Sequence, residues 1–374
     1  MNYYNGSSYN NYNSNNGYNN MQSNYYFQYN AARENEKKAL RKNATKLGVT
    51  LLLYNIFIEL FILIYYFLAY AYYNHEVTFN YSVVINFFRE NMGIYNSSMF
   101  SMTCNLFVIL MSLTTTIIVA VLFLKVDFSE MLSHKKGLVK EGVRWFPACM
   151  IINFTTSFII SIFVAVMSVY GITIPEADFS ITSPTTSTIL VQLLYVCIIG
   201  PIAEEFIYRG IIISLLKPFG KWLAVIVSAM IFGLMHGNIP QAVGAFCSAL
   251  VFGLIAVKFN SIIPTIVIHI LNNVVGSYSN VYKVLGVPNV ITSITQIVIM
   301  LIVIVFGSYA IFRYGKYLKI GKEFSAIGKT SDKCVVVFTN GFMLIYIAIL
   351  LFKFISSFIM SNWLYYKWTA FDFL

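Results

Sequence analysis

Charged residues are scarce in this sequence. Only 11% of its 374 residues are Asp, Glu, Lys or Arg, whereas 58% are hydrophobic and the mean hydropathy is +0.70. Soluble domains carry about 25% charged residues, so this composition excludes an ordinary soluble enzyme and predicts a polytopic membrane protein. The net charge of +10 does not indicate nucleic-acid binding, because the basic residues lie in short blocks between apolar runs, a pattern that orients membrane helices.

Several common site motifs are missing from the sequence. The five cysteines form no Cys-x-x-Cys pair, so we expect neither a disulfide framework nor a thiolate metal site. No Gly-rich phosphate loop and no His-Glu-x-x-His helix occurs. We also expect no cleavable signal peptide, because the first apolar stretch comes late and is long enough to span a membrane.

The sequence begins with a polar tract and continues with apolar segments. Residues 1–36 are rich in Asn and Tyr, and we expect them to form a disordered cytoplasmic tail because they cannot bury a core. Nine apolar segments follow, and a helix needs about 20 such residues to span a bilayer. They cover residues 47–72, 99–124, 145–170, 188–215, 222–236, 242–257, 262–278, 290–312 and 335–360.

These segments predict an all-α, polytopic transmembrane helical bundle of about nine spans with a membrane-embedded cavity. We expect N-terminal transmembrane helices over 47–184, a functional core over 185–280 and C-terminal transmembrane helices over 290–374. If the segments alternate from a cytoplasmic N-terminus, the loops on the other side hold Arg89, Lys283 and little else that is basic. The positive-inside rule therefore predicts the N-terminus inside and the C-terminus outside.

Three fragments place ionisable or strongly polar side chains inside apolar runs. Charge inside a bilayer is costly and usually marks a functional site. Helix packing alone would account for a lone His or Asn, but not for a cluster that includes two of the chain's four histidines. The fragments are Glu204-Glu205-Phe-Ile-Tyr-Arg209, Phe232-Gly-Leu-Met-His236 and His269-Ile-Leu-Asn-Asn273.

Helical spacing predicts which of these side chains meet. Glu205 and Arg209 are four residues apart and should pair, whereas Glu204 points about 100° away around the helix. His269 and Asn273 also share a face. Counted from the basic residues at the cytoplasmic helix ends, the three fragments lie about 16–22 Å deep, near the middle of a hydrocarbon layer about 30 Å thick. We therefore expect one shared site.

The residues after His236 predict irregular backbone close to this site. Gly237, Asn238 and Pro240 should end the helix there. Non-helical backbone at bilayer depth is tolerated only where it is buried in protein or lines a water-filled cavity. A cavity of that kind is what hydrolysis inside a membrane requires.

A few polar residues elsewhere in apolar runs have weaker signals. Glu59 and Asn55 lie one helical turn apart in the first segment, and we interpret them as a helix-contact pair. Gln296 is interpreted as a helix-packing residue. Cys247 and Ser248 lie in no recognisable activating motif, so we do not expect either to be a nucleophile.

At the three fragments the sequence resembles the CPBP family, which comprises the type II CAAX prenyl endopeptidases and the bacterial Abi or lysostaphin-resistance-A-like proteins. The resemblance covers about residues 185–280. The family pattern is Glu-Glu-x-x-x-Arg, then Phe-x-x-x-His, then His-x-x-x-Asn/Asp. One departure is Tyr208, where the family commonly has Phe.

The resemblance implies an intramembrane endopeptidase that acts on a membrane-associated protein or peptide. By this resemblance, Glu204 activates water and His236 helps to hold it. His269 and Asn273 stabilise the oxyanion, and Glu205 and Arg209 orient the site. Two mechanisms are open: zinc held by Glu204, His236 and His269 with a position left for water, or a metal-free mechanism based on the glutamate.

Two other functions are also open. One is a non-catalytic membrane scaffold or bacteriocin-immunity protein that retains the motifs, and the other is an ion-coupled transporter that uses the Glu/His cluster. The intact motifs argue against the first, and the lack of an inverted repeat of broken helices argues against the second. The abundance of Asn, Ile and Tyr suggests a bacterial cell-membrane protein.

Overall fold

The computed structural model describes residues 13–175, 185–321 and 325–371, and it is all-helical within these ranges. This confirms the predicted fold class. The helices are α1 (Asn13–Asn74), α2 (Tyr81–Glu90), α3 (Met92–Tyr95), α4 (Ser98–Leu122), α5 (Leu138–Val169), α6 (Thr186–Phe219), α7 (Lys221–Leu234), α8 (Ile239–Phe259), α9 (Ile263–Val284), α10 (Asn289–Tyr314), α11 (Thr330–Phe338) and α12 (Gly341–Phe371).

Eight of the nine predicted segments correspond to one helix each, whereas the ninth, 335–360, is divided by a break at residues 339–340 between α11 and α12. Among the described residues, seven helices are long and apolar enough to cross a membrane, namely α1, α4, α5, α6, α8, α10 and α12. Helix α7 has 14 residues and is about 21 Å long, shorter than the hydrocarbon layer. Helix α9 has 22 residues but carries the polar residues of the third fragment. Both are helices of the bundle, so the predicted count is compatible with the structure.

The N-terminal tail differs from the expectation of disorder over 1–36. Helix α1 begins at Asn13, and residues 1–12 lie outside the described ranges. The Glu36 carboxylate accepts the backbone N–H groups of Ala326 at 2.8 Å and Ile327 at 3.3 Å, and the Tyr29 hydroxyl donates to the carbonyl of Ala326 at 3.1 Å. Good helix formers dominate residues 31–42, and these contacts with the segment before α11 hold the helix in place.

The loops that carry the basic residues meet at one face of the bundle, which we call the basic face. Hydrogen bonds join these loops: Lys46 to the carbonyl of Lys125, Lys217 to Glu130, Ser261 to the carbonyl of Ser133, and Asn340 to Thr45. The arrangement is the one that the positive-inside pattern requires. Which compartment the basic face meets stays a prediction.

Helix α7 lies inside the protein, which explains how so short a helix is accommodated. Ala224, Val225 and Val227 are completely buried. A Cβ on Gly233 would lie 2.8 Å from the carbonyl oxygen of Ala242, so this glycine permits the close approach of α7 and α8. Gly237, with φ +70, forms the turn between them. The predicted break occurs, but the helix ends at Leu234, so His236 lies in the turn of the hairpin rather than at the end of the helix.

Candidate active site

Helix α6 is irregular on both sides of the adjacent acids Glu204 and Glu205. Residues Leu194–Ile199 and Phe206–Ile212 are π-helical, and the short stretch Gly200–Glu205 between them is α-helical. Such π-helical stretches are rare and are frequently found at functional sites. The side-chain amide of Asn273 donates to the carbonyl of Val196 at 2.8 Å, so α9 binds the backbone of the first stretch.

Glu205 and Arg209 form the predicted ion pair. Nη1 of Arg209 lies 3.0 Å from Oε1 of Glu205, and both side chains are completely buried. The N–H groups of Arg209 have no hydrogen-bond partner of good geometry among the described side chains. The contact is therefore mainly electrostatic, and within a protein interior of low dielectric it is strong.

Two aromatic rings enclose the guanidinium of Arg209. Its central carbon lies 4.4 Å from the ring centroid of Phe232 on α7 and 5.1 Å from that of Phe252 on α8. Desolvated cation–π contacts contribute about 2 kcal/mol or more. Arg209 of the first fragment thus packs on Phe232 of the second fragment and on Phe252, which the sequence analysis did not identify.

The imidazole of His269 lies between the two acids. Its Nδ1 is 3.0 Å from Oε1 of Glu205, and its Nε2 is 3.6 Å from Oε2 of Glu204. Because an ionised carboxylate only accepts hydrogen bonds, Nδ1 carries a proton. Glu205 therefore fixes the ring so that Nε2 faces Glu204, whose side chain is 22% exposed while that of Glu205 is fully buried.

His236 is anchored differently. Its Nδ1 donates to the carbonyl of Phe232 at 2.8 Å, and the two rings are edge to face with centroids 5.1 Å apart. This contact makes Nε2 the unprotonated nitrogen of the neutral ring. No hydrogen bond or ion pair joins His236 to Glu204 within the described part of the chain, so the predicted convergence of both histidines on Glu204 is direct only for His269.

Asn273 belongs to a chain of hydrogen bonds that reaches α5 and α8, and we call this chain the amide relay. The hydroxyl of Ser248 donates to Asn153, and Asn153 donates to Asn272. Asn272 donates to Asn273 at 3.4 Å, and Asn273 donates to the carbonyl of Val196. Every side-chain oxygen of these asparagines accepts and every amide nitrogen donates, and the second N–H of Asn273 has no acceptor among the residues that the structure describes.

Glu204, His236 and His269 are the residues that the sequence analysis gave as a possible zinc set. Among the residues that the structure describes, no three His, Cys, Asp or Glu side chains converge closely enough to hold a metal. Nδ1 of each histidine is engaged, by Glu205 or by the carbonyl of Phe232, so Nε2 is the nitrogen that each could offer to a metal. Zinc held by these three residues, with a position left for water, stays a prediction.

Residues 186–275 match the family model described as type II CAAX prenyl endopeptidase Rce1-like. The match confirms the resemblance predicted from the three fragments, and it supports a protease-type enzyme in a membrane. The Rce1-like segment begins with the first residue of α6 and ends within α9, so it includes every residue of the predicted site. No curated protein and no solved structure matches the chain.

The Rce1-like segment has polar neighbours that sequence reasoning missed. The phenols of Tyr54 and Tyr195 lie within electrostatic range of Glu204. Tyr208, the residue that departs from the family pattern, is buried in the same cluster as Tyr346 on α12. Asn153 of the amide relay is a further polar residue that was missed. Of these residues, only Asn153 could have been found from the sequence, because it is an amide within an apolar run.

Proposed function

We propose that this chain is an intramembrane endopeptidase that cleaves a peptide bond in a membrane-associated protein or peptide with water activated by Glu204. The observation that carries the proposal is the position of Glu204. It is partly exposed beside His269, whereas its buried neighbour Glu205 is occupied by Arg209 and His269. Glu204 is thus available to react, whereas Glu205 has a structural role.

Glu204 and His236 hold the attacking water in this proposal. Nε2 of His236 has a free lone pair, because its Nδ1–H is donated to Phe232. It accepts one proton of the water in a hydrogen bond, and Glu204 takes the other. The hydroxide that forms attacks the scissile carbonyl, and Glu204 then gives the proton to the leaving amine. General acid–base catalysis of this kind contributes about 10²- to 10⁴-fold in rate.

His269 and Asn273 stabilise the negative charge of the tetrahedral intermediate. The free N–H of Asn273 is one donor. Nε2 of His269, which lies 3.6 Å from Glu204, supplies the second donor when it carries a proton. Preorganised donors in a site of low dielectric stabilise an oxyanion strongly, and losing one typically costs about 10²- to 10³-fold in rate.

The proposed mechanism needs no metal ion. Water is positioned by Glu204 and His236, and charge is stabilised by His269 and Asn273, so each chemical role has a side chain. Zinc bound by another combination of residues is the competing mechanism, and the metal content of active protein distinguishes the two.

The experiment that tests the function compares membranes from cells that carry the wild-type chain, Glu204→Gln or Glu130→Gln. Glu130 is a matched control, since it pairs with Lys217 at the basic face, outside the site. Peptides with new termini should accumulate with the wild type and the control but not with Glu204→Gln. If all three membranes give the same peptides, the non-catalytic scaffold function is favoured instead.

A further inference from the structure

A groove lies between α1 and the short helices α2 and α3, away from the candidate active site. Its volume is about 490 Å³, within the usual range of about 300–1,000 Å³ for ligand sites. Ile62 and Leu63 of α1 and Ile85 of α2 line it, together with the charged residues Glu59 and Arg89. None of the predicted site residues contributes to its lining, so the groove is a separate feature.

The groove lies at the membrane surface opposite to the basic face. Lys46 of α1 is hydrogen-bonded at the basic face, and Tyr66 is twenty residues further along the same helix, or about 30 Å. The ring of Phe88 packs edge to face on that of Tyr66, with centroids 5.2 Å apart. Arg89 therefore lies at headgroup depth, and Glu59 lies about 10 Å deeper.

The two charged residues of the groove, Glu59 and Arg89, differ in ion pairing. The carboxylate of Glu59 lies 3.5 Å from Nζ of Lys353 on α12, so it is paired. Arg89 is exposed and pairs with no carboxylate in the described ranges. It is also one of few basic residues on this side of the bundle, where the positive-inside pattern disfavours them. Among the described residues that line the groove, Arg89 is the one cation, and its exposed neighbour Glu90 does not line it.

The rest of the groove suits a lipid rather than a soluble anion. Aliphatic side chains form its wall below Arg89, and the aromatic residues Tyr81 and Tyr95 line it too. Tyrosine is favoured where one end of a site is apolar and the other is wet. A soluble anion would leave the apolar wall uncovered, and a neutral lipid would leave the arginine without a counter-charge.

We propose that this groove binds an anionic phospholipid, with the phosphate against Arg89 and an acyl chain between Leu63 and Ile85. The lipid fills the space between α1 and α2, which are otherwise joined mainly through their aromatic residues. It also gives Glu59 a role: the pair with Lys353 keeps the floor of the groove electrically neutral, so that the charge at the mouth determines which lipid binds.

The test measures lipid bound to the full chain purified in mild detergent, by native mass spectrometry, after addition of phosphatidylglycerol or phosphatidylcholine. The wild type should retain phosphatidylglycerol preferentially. Arg89→Gln should weaken this binding by about tenfold, the usual effect of losing a hydrogen bond to a charged group. Lys283→Gln, which removes an exposed positive charge at the end of α9, should bind like the wild type.

A second pair of variants keeps the charge and fills the groove. Ile85→Trp should abolish retention of phosphatidylglycerol. Val83→Trp, on the same helix but outside the groove lining, should not. Equal retention of both lipids by the wild type would overturn the proposal, and so would equal binding by Arg89→Gln and Lys283→Gln. Full competition by soluble glycerol phosphate would overturn the lipid in favour of a simple anion site.

Discussion

The guanidinium carbon of Arg209 lies 4.4 Å from the ring centroid of Phe232, so the arginine of the first motif rests on the phenylalanine of the second. The same arginine holds Glu205, and Glu205 holds His269 of the third motif. The three motifs are thus one connected structure. A change at Arg209 is transmitted to His269 through a single carboxylate.

Replacing Arg209 by alanine should destabilise the protein strongly. The change leaves Glu205 buried without its cation, and breaking a buried pair in this way costs about 3–5 kcal/mol. The measurement is reversible unfolding in mixed micelles. The matched control is Arg144→Ala, because Arg144 also pairs with a glutamate and lies 5.1 Å from an aromatic centroid but is partly exposed. It should cost about 1 kcal/mol or less, and equal losses in the two variants would contradict the buried pairing.

The two adjacent acids should respond in opposite ways to the same substitution. Glu204→Gln should remove proteolysis and leave the melting temperature close to that of the wild type, because this side chain is partly exposed and has only a long contact with His269. Glu205→Gln should lower the melting temperature, because it leaves the arginine unpaired. Paired thermal melts and cleavage assays check this, and a Glu204→Gln protein that cleaves at the wild-type rate would refute the role of Glu204.

The amide relay should position Asn273 for catalysis. Asn153→Leu removes the partner of Asn272 and should lower kcat by about 10- to 100-fold with little change in KM, because small displacements of a catalytic group cost rate. Gln296→Leu is the control, since Gln296 bonds Tyr278 at 2.6 Å in a helix contact outside the relay. It should leave both constants unchanged. A kcat for Asn153→Leu equal to that of the control would show that the relay has no part in positioning.

Active protein should contain no stoichiometric metal. Elemental analysis of purified enzyme and cleavage after dialysis against a chelator check this expectation. The double variant His236→Ala, His269→Ala is informative here: zinc that is present in the wild type and lost in this variant would favour the metalloprotease mechanism over the one proposed.

The basic face should lie in the cytoplasm. Single cysteines at Ser331, next to the start of α11, and at Leu285, just after α9, should react with an impermeant thiol reagent from opposite sides. Cys247 and Cys334 are only partly buried and should be replaced by serine in both proteins. Labelling of both positions from the same side would refute the alternating topology.

Most of the helical layout could be predicted from hydropathy, because each apolar run of sufficient length must satisfy its own backbone in a membrane. The Glu205–Arg209 pair could also be predicted, since it depends on spacing within one helix. The helical part of the tail was missed, because its order depends on contacts between Glu36 and a segment that is distant in sequence.

The remaining differences arise from tertiary geometry. No sequence signal marks the π-helical stretches around Glu204, and depth along each helix could not show that His236 bonds the carbonyl of Phe232 instead of turning to Glu204. Glu59 and Asn55 were interpreted as a helix-contact pair, but Glu59 lies 3.5 Å from Lys353 on α12 and Asn55 donates to the carbonyl of Leu51. The spacing of residues within one helix does not determine which face of that helix is turned toward a neighbouring helix.

The contact between Glu36 and Ala326, whose positions in the sequence differ by 290, has a consequence for biogenesis. Helices enter the membrane in the order of their synthesis. The contact between Glu36 and Ala326 can therefore form only after nearly the whole chain has been made. Closing so long a loop carries an entropic cost that grows slowly with length. The junction of α1 with the segment before α11 is therefore a late step of assembly, and a chain that ended before Ser325 would insert α1 without the contacts that Glu36 makes.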